Sequence, residues 1–337
     1  MPPAEEASPL DRGGRLEVSV VVPTHDRRRL LLQTLGSILR QRGVDFEVLV
    51  VDDGSRDGTA ELVAGLGDGR VRVLRNDRPQ GVAAARNRGI AEAAGEWLGF
   101  CDDDDLWAPD KLARQLQAAR QAGREWVYGG AVRIDADQRI LSGTPPPGPE
   151  ELARRIARFN LMPGGCSNAM VSRAALEAVG PFDDGYKHFA DWDLWIRLAR
   201  QDLPAWVPSP LTGYRIHAGN KSLDVAGMMA DLKRIQDRHH TSIDMAAFCH
   251  YLAWLFLRAG RRRQALRYFL RAAVQGQVRP VARSLSSILR GRLARRLPPG
   301  RLPAPGQPPP EWKDRAEVWL AELRPVELST ADHSGAG

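Results

Sequence analysis

The sequence predicts an α/β fold built on a mostly parallel, doubly wound sheet flanked by helices, with a helical appendage near its C-terminal end. Two observations carry the prediction. From Leu16 to Cys101, apolar β-branched runs of strand length alternate with amphipathic helical stretches. Three of those runs end abruptly on polar clusters: Pro23-Thr24-His25-Asp26, Asp52-Asp53-Gly54-Ser55 and Asp102 to Asp105. In open parallel sheets ligands bind beyond the carboxyl ends of the strands, so the three clusters are expected to meet on one edge.

Leu16 to Val22 is a continuous apolar run closed by Pro23, as expected of a strand buried on both faces. Arg29 to Gln41 places Leu31, Leu35, Ile38 and Leu39 on one helical face. Phe46 to Val51 is a second buried strand, Asp57 to Leu66 a helix and Val71 to Leu74 a third strand. Gly81 to Ala94 is an Ala-rich helix, and Glu96 to Cys101 is the strand that delivers the four aspartates. Beyond it the pattern is less regular. Strands are expected at Trp126 to Ile134 and Ala169 to Val171, with helices at Glu150 to Arg158, from Ala174 and at Asp191 to Arg200. Trp192, Trp195 and Leu198 face inward on the last of these, as core residues rather than sugar-stacking platforms. From Met228 the chain is helical, and Ala246 to Ala273 resembles a hairpin turning at Gly260.

These elements divide the chain into a polar, disordered segment over 1–15, a sheet domain over 16–225 and a basic helical appendage over 226–297. Residues 298–337 hold a Pro-rich stretch, a short helix from Trp312 to Leu323 and a polar tail. With 337 residues, 43% of them hydrophobic, the chain can bury a sizeable core. Cys101, Cys166 and Cys249 are odd in number and far apart, which suits reduced thiols in a cytosolic setting and excludes a disulfide framework. The first residues lack the apolar core of a signal peptide, and the apolar stretch around Met245 to Leu257 is too short to span a bilayer. The net charge of +7 hides an asymmetry. Twelve Arg and no Asp, Glu or Lys lie between Leu255 and Gly300, leaving 36 basic against 41 acidic residues elsewhere, a net of −5.

Asp102-Asp103-Asp104-Asp105 is the strongest chemical signal. Four adjacent carboxylates repel one another, and a cation must offset them. Hard oxygen ligands at a strand end suit Mg²⁺ or Mn²⁺, and the metal in turn suits a diphosphate. An isolated acidic tetrad would more often be a solvated turn before the helix that begins near Pro109. The remaining motifs decide between the two. Val18 to Arg27 (VSVVVPTHDR), Glu47 to Ser55 (EVLVVDDGS), Gly81 to Gly89 (GVAAARNRG) and Asp102 to Trp107 (DDDDLW) together resemble the family 2 glycosyltransferases, over roughly residues 16 to 225.

The resemblance implies the GT-A fold, a nucleotide-diphospho-sugar donor (a UDP-sugar favoured), inversion at the anomeric carbon and a Mn²⁺ or Mg²⁺ cofactor. It implies a base pocket lined by Pro23, Thr24 and His25, with Asp53 accepting from the base and Arg86 close by. Asp102 and Asp104 would end the D-x-D motif, Asp103 would lie near the ribose, and Asp104 would be the direct metal ligand. Asp191 would be the general base, and His217, within Tyr214 to Ser222, would reach the metal or the diphosphate. Ala190-Asp191 stands where the family usually has a Glu-Asp pair.

Plainer roles compete at several positions. Asp52 and Asp53 could be turn residues, Asp191 and Asp193 could simply begin a helix, and Arg86 could be a solvated helix residue. Gly164 to Ser167 fits an acceptor pocket or an ordinary strand entry, and His239-His240 reads as surface. A sugar nucleotidyltransferase would need a Gly-rich phosphate loop directly after the first strand, where this chain has Pro23-Thr24-His25-Asp26. A catalytically idle GT-A module that binds a nucleotide or a partner is the alternative function. The basic appendage reads as a helical cap or as an anchor on an anionic membrane, with Arg279 to Arg296 facing lipid and Leu285, Ile288, Leu289 and Leu293 dipping inward. That reading places the protein in the cytoplasm, peripheral on the inner face of the membrane, with a glycan or lipid-linked acceptor. Nucleic acid is a poor partner, since no aromatics interleave with those arginines.

Overall fold

A computed structural model describes residues 16–216, 224–294 and 310–324. The expectations for residues 1–15, for His217 and for residues 298–309 and 325–337 lie outside the described residues.

Seven-residue strands β1 (Val18–Thr24) and β2 (Phe46–Asp52) are buried at every position. They pair in parallel, with Val18 opposite Phe46 and Thr24 opposite Asp52. Helices α1 (Arg28–Ile38), α2 (Thr59–Ala64) and α3 (Val82–Glu92) connect them to β3 (Val71–Arg75) and β4 (Trp97–Phe100). Beyond β4 come β5 (Leu106–Trp107), α4 (Lys111–Ala122), β6 (Trp126–Ile134), β7 (Ile140–Thr144) and α5 (Pro149–Arg155). A 3₁₀ turn at Gly165–Asn168 leads into β8 (Ala169–Ser172), α6 (Arg173–Val179), α7 (Ala190–Gln201) and β9 (Ala205–Arg215). The C-terminal part holds α8 (Val225–His239), α9 (Met245–Arg258), α10 (Arg262–Val274), α11 (Val278–Ala294) and α12 (Pro310–Leu323).

One sheet takes the order β3-β2-β1-β4-β8-β6-β9-β5, with β7 also on β6. The wing β3-β2-β1-β4 is entirely parallel, whereas β8 runs antiparallel to both β4 and β6. The order reverses between β1 and β4, so a crevice opens beyond their carboxyl ends. Alternating side chains feed two cores. Val21, Leu49, Val51, Phe100, Trp126, Trp192 and Trp195 fill one face, and Val20, Val22, Val48, Val50, Leu31, Leu35 and Trp107 fill the other.

Strand β9 did not announce itself in the sequence, because Pro208 and Pro210 interrupt it. Its pairing with β6 shifts register on both sides of Gly130, where Gly130 faces Pro210, and this irregularity accommodates the prolines. The same glycine receives the C-terminal helix. A Cβ on Gly130 would lie 2.2 Å from the Trp312 ring, so only a bare backbone lets α12 lie this close. Trp319 Nε1 donates to the Pro210 carbonyl at 2.9 Å, and Trp312, Ala316, Trp319 and Leu320 join the second core. Thus α12 is part of the sheet domain's packing although a Pro-rich stretch separates it in sequence. Trp319→Ala should cost about 3–5 kcal/mol, read as a lower denaturant midpoint at unchanged slope.

Helices α9 and α10 form the expected hairpin, turning at Gly260 with φ +73°. Phe248 of α9 packs edge-on to Phe189, joining the hairpin to α7. On α11, Ile288 packs on the small cluster around Phe269 and Val281 within the protein rather than facing lipid, while Leu285 is 38% exposed. His239 corrects the sequence reading: it is 3% exposed, not a surface residue. Its Nε2 lies 2.8 Å from Asp193 Oδ1, a buried partner that sequence spacing could not reveal.

Candidate active site

Pro23 and Thr24 end β1 opposite Val51 and Asp52 of β2, and backbone pairing brings their turns together. His25 Nδ1 donates to the Asp53 carbonyl at 2.8 Å. Asp26 adopts a left-handed φ of +51°, its N–H donating to Ser55 Oγ and its carboxylate accepting from the Arg56 N–H. The β1 and β2 turns are thereby locked to each other. Asp53 is only 6% exposed and spends its carboxylate on the loop that follows β3. Its oxygens accept from Asn76 Nδ2 at 2.7 Å, from the Gln80 N–H and from the Gly81 N–H at 2.8 Å. Asp53 thus braces the loop after β3 more than it presents free acceptors.

The four consecutive aspartates occupy four different environments. Asp102 accepts a hydrogen bond from Arg86 Nη2, and its own N–H donates to Ser167 Oγ at 2.9 Å. Asp103 accepts from Thr24 Oγ1 at 2.8 Å and from Arg27 Nη1 at 3.1 Å. Asp104 Oδ2 lies 2.6 Å from the same Arg27 nitrogen. Asp105 turns inward, fully buried, and accepts from the Arg215 N–H at 2.9 Å. Arg215 Nε also donates to the Asp104 carbonyl at 2.8 Å, which fixes the backbone of the tetrad from β9. Burial, reinforced by the charge of Asp104, pushes the Asp103 carboxyl up to about 6. Burial pushes Asp105 well above the carboxylate range, with Asp104 and Asp102 adding to the effect.

Asp191 sits in the first turn of α7, on the other side of Arg86. Burial pushes its carboxyl up to about 6, against the attraction of Arg86 and a hydrogen bond from the Trp192 N–H. Arg86 is 5% exposed, and although burial opposes its charge, Asp102 and Asp191 hold it above its usual value. Its guanidinium lies 5.3 Å over the Phe182 ring, so it is anchored on both sides. Gly165 borders this group, since a Cβ there would lie 3.9 Å from Asp191 Oδ2. No side chain of Phe189 or Ala190 caps α7. Instead Asp231 of α8 accepts from the N–H groups of His188 at 2.6 Å and Phe189 at 3.1 Å. Asp193, two residues further on, is held by Arg197 and His239. These contacts fix the helix that carries Asp191 without help from residue 190.

Thr24, His25, Asp53, Asp103 and Asp104 therefore gather at one end of the crevice, and Arg86, Asp102 and Asp191 at the other. Sequence reasoning missed Arg27, Arg215 and Asp231. Their partners are 42 to 111 positions away, so no local pattern could flag them. The residues present fit a hard divalent cation. Asp103 and Asp104 already converge on a single cationic nitrogen, Arg27 Nη1, and both offer only oxygen. Among the described residues no three His, Cys, Asp or Glu side chains form a complete cage, so further ligands would come from phosphate oxygens and water.

A sheet with this switch point and these acidic and basic groups at its carboxyl edge is in keeping with the GT-A architecture that the motif resemblance implies. Residues 19–180 match the model of Glycosyl transferase family 2. The putative teichuronic acid biosynthesis glycosyltransferase TuaG of Bacillus subtilis is 30% identical over 212 residues, covering 61% of this chain and 77% of TuaG. The chain belongs to family 2 and is a glycosyltransferase enzyme. The UDP-Glc:α-D-GlcNAc-diphosphoundecaprenol β-1,3-glucosyltransferase WfgD of Escherichia coli is 27% identical, covering 55% of this chain and 70% of WfgD. The succinoglycan biosynthesis protein ExoO of Rhizobium meliloti is 38% identical over 125 residues, and the match spans only 36% of ExoO. Among solved structures, S. aureus TarS in complex with UDP-GlcNAc superposes with a TM-score of 0.53 at 18% identity, covering 69% of this chain and 66% of that one. That likeness supports the fold.

Proposed function

We propose that this enzyme moves a sugar from a nucleotide-diphospho-sugar, a UDP-sugar by preference, to an acceptor hydroxyl with inversion, in cell-envelope or other glycan biosynthesis. The observation that carries the reading is the pairing of two carboxylates that converge on one cationic nitrogen, Asp103 and Asp104 on Arg27 Nη1, with the raised carboxyl of Asp191 across Arg86. WfgD is named for a UDP-glucose donor and a lipid-diphosphate-linked acceptor, and TarS was solved with UDP-GlcNAc. Both point to the same donor class.

Pro23, Thr24 and His25 line the base side with Asp53; Arg86, expected beside the base, is assigned instead to the sugar-phosphate side with its partner Asp102. Asp104 would hold Mn²⁺ or Mg²⁺ with Asp103 beside it, and His217 is proposed to join it from outside the described residues. Such a cation would stabilise charge on the departing diphosphate. Asp191 accepts the proton of the acceptor hydroxyl as that oxygen attacks from the face opposite the leaving group. No second carboxylate nucleophile is required, because one in-line displacement inverts the centre. Residues 16–225 form the catalytic unit and 226–297 the appendage, which we assign to a peripheral position at the cytoplasmic face of a membrane. No helix among the described residues is long and apolar enough to cross one.

Because Arg27 and the cation would share the same two carboxylates, Arg27→Ala should raise the Mn²⁺ affinity of the nucleotide-free protein by about fivefold in titration calorimetry. An unchanged affinity would show that Arg27 does not compete. The function is tested by a thermal-shift panel of nucleoside diphosphates and diphospho-sugars with Mn²⁺, then with EDTA. Stabilisation by a uridine nucleotide that EDTA abolishes is expected. Indifference to every nucleotide would leave an idle GT-A module.

A further inference from the structure

The inner face of α10 is satisfied, since Ala265, Phe269 and Ala272 are buried in the α9–α10 hairpin. Its outer face is not. Leu266, Leu270 and Val274 are 53%, 59% and 88% exposed, and successive members are four residues apart, so they form one row along the helix. Arg263, Arg267 and Arg271 keep the same spacing and form a second row beside the first. Val278, at the start of α11, is 61% exposed and extends the apolar line.

The charges on this face differ from those on α8. Exposed arginines on α8 have acidic partners, as Arg234 and Arg238 do in Asp183. Among the described residues none of Arg263, Arg267 and Arg271 pairs with a carboxylate, and no Asp or Glu occurs between Leu255 and Gly300. The face is thus a strip of aliphatic side chains edged by uncompensated positive charge.

We propose that the outer face of α10, and not the arginines of α11 alone, is the surface on which this protein docks to an anionic lipid bilayer, with Leu266, Leu270 and Val274 entering the headgroup boundary and Arg263, Arg267 and Arg271 meeting lipid phosphates. The arrangement is that of an interfacial helix: a low, mixed aliphatic row with guanidinium groups alongside. A second copy of the chain is the poorer occupant. A two-fold contact would set the two arginine rows against each other with no acidic residue to separate them, and one helix face falls short of the roughly 800 Å² per partner of a stable dimer. Nucleic acid would use the arginines and leave the aliphatic row exposed. The inference rests on the membrane location proposed above, and it stands or falls independently of the transfer step.

The test is flotation of the full chain with phosphatidylcholine vesicles and with phosphatidylcholine–phosphatidylglycerol vesicles, without donor or acceptor. The chain should float with the anionic vesicles only, and more weakly at high salt. L266E/L270E should weaken binding at least tenfold, and R263E/R267E/R271E on the order of a hundredfold. Flotation of the unmodified chain with both vesicle types, or with neither, overturns the proposal whatever the variants do. So does a light-scattering dimer mass that L266E/L270E abolishes, which would assign the face to a second copy. The UDP- and Mn²⁺-dependent thermal shift, measured on the same samples, separates failure of docking from failure of the transferase reading. Its persistence in both variants also shows that they are folded.

Discussion

Asp191→Asn should lower kcat by about 10²- to 10⁴-fold while leaving nucleotide-induced stabilisation close to that of the unmodified enzyme. The amide keeps the shape of the carboxylate and its hydrogen bond from the Trp192 N–H, but cannot take a proton from the acceptor. On the proposed assignment donor binding rests on the other end of the crevice, around Thr24, Asp53 and Asp104, and should survive. Unchanged turnover would remove Asp191 as the base. Because burial pushes Asp191 up to about 6, kcat/KM of the unmodified enzyme should fall below about pH 6 as the base becomes protonated.

The same displacement has a consequence for stability, of opposite sign to a salt-bridged aspartate. The folded-state pKa is raised, so the folded protein holds this proton over a range, from about pH 4 to 6, where the unfolded chain has lost it. The contribution of Asp191 to stability therefore declines as pH rises through that window, and the full penalty is present at neutral pH. Asp191→Asn, which has no charge to bury, should melt higher than the unmodified protein above pH 6, and the two should converge below about pH 4. A lower melting temperature at pH 7 would mean that Arg86 depends on the Asp191 charge more than burial opposes it.

How much of this was legible in the sequence depended on how local the cause was. Strands β1, β2 and β4 are buried on both faces, so their continuous apolar runs and polar ends could be read directly, and with them the edge where Thr24, Asp53 and Asp104 gather. Strand β9 escaped because Pro208 and Pro210 forbid regular pairing, and its solution lies in the register shift against Gly130 of a different strand. His239 reads as a polar helix end until Asp193 is placed beside it. Ala190 reads as a defect in the motif, yet the turn leading into its helix is held by Asp231, a residue that only tertiary packing brings near. Trp312 and Trp319 look like parts of a terminal afterthought, and their docking is decided by the missing side chain of Gly130. The chemistry of the site was written in neighbouring residues; its support comes from distant ones.

The sharpest separation of these two kinds of role lies between adjacent aspartates. Asp104→Asn should abolish the metal-dependent nucleotide shift and lower kcat/KM on the order of 10³-fold, whereas Asp105→Asn should leave both within a few-fold. Asp104 faces the crevice, where its Oδ2 meets a cationic nitrogen at 2.6 Å, and an amide in its place cannot offset positive charge. Asp105 is fully buried, and burial together with Asp104 and Asp102 pushes its carboxyl well above the usual carboxylate range, which favours the neutral form. Asparagine reproduces that neutrality and can still accept the Arg215 N–H through its own carbonyl. Asp105→Ala is the harsher change, because it leaves the Arg215 N–H without its acceptor in a buried site, and it should cost about 1–3 kcal/mol of stability. Loss of the nucleotide shift in Asp105→Asn with stability intact would mean that Asp105 ionises in the complex, and that the charge at the strand end is shared more widely than Asp103 and Asp104.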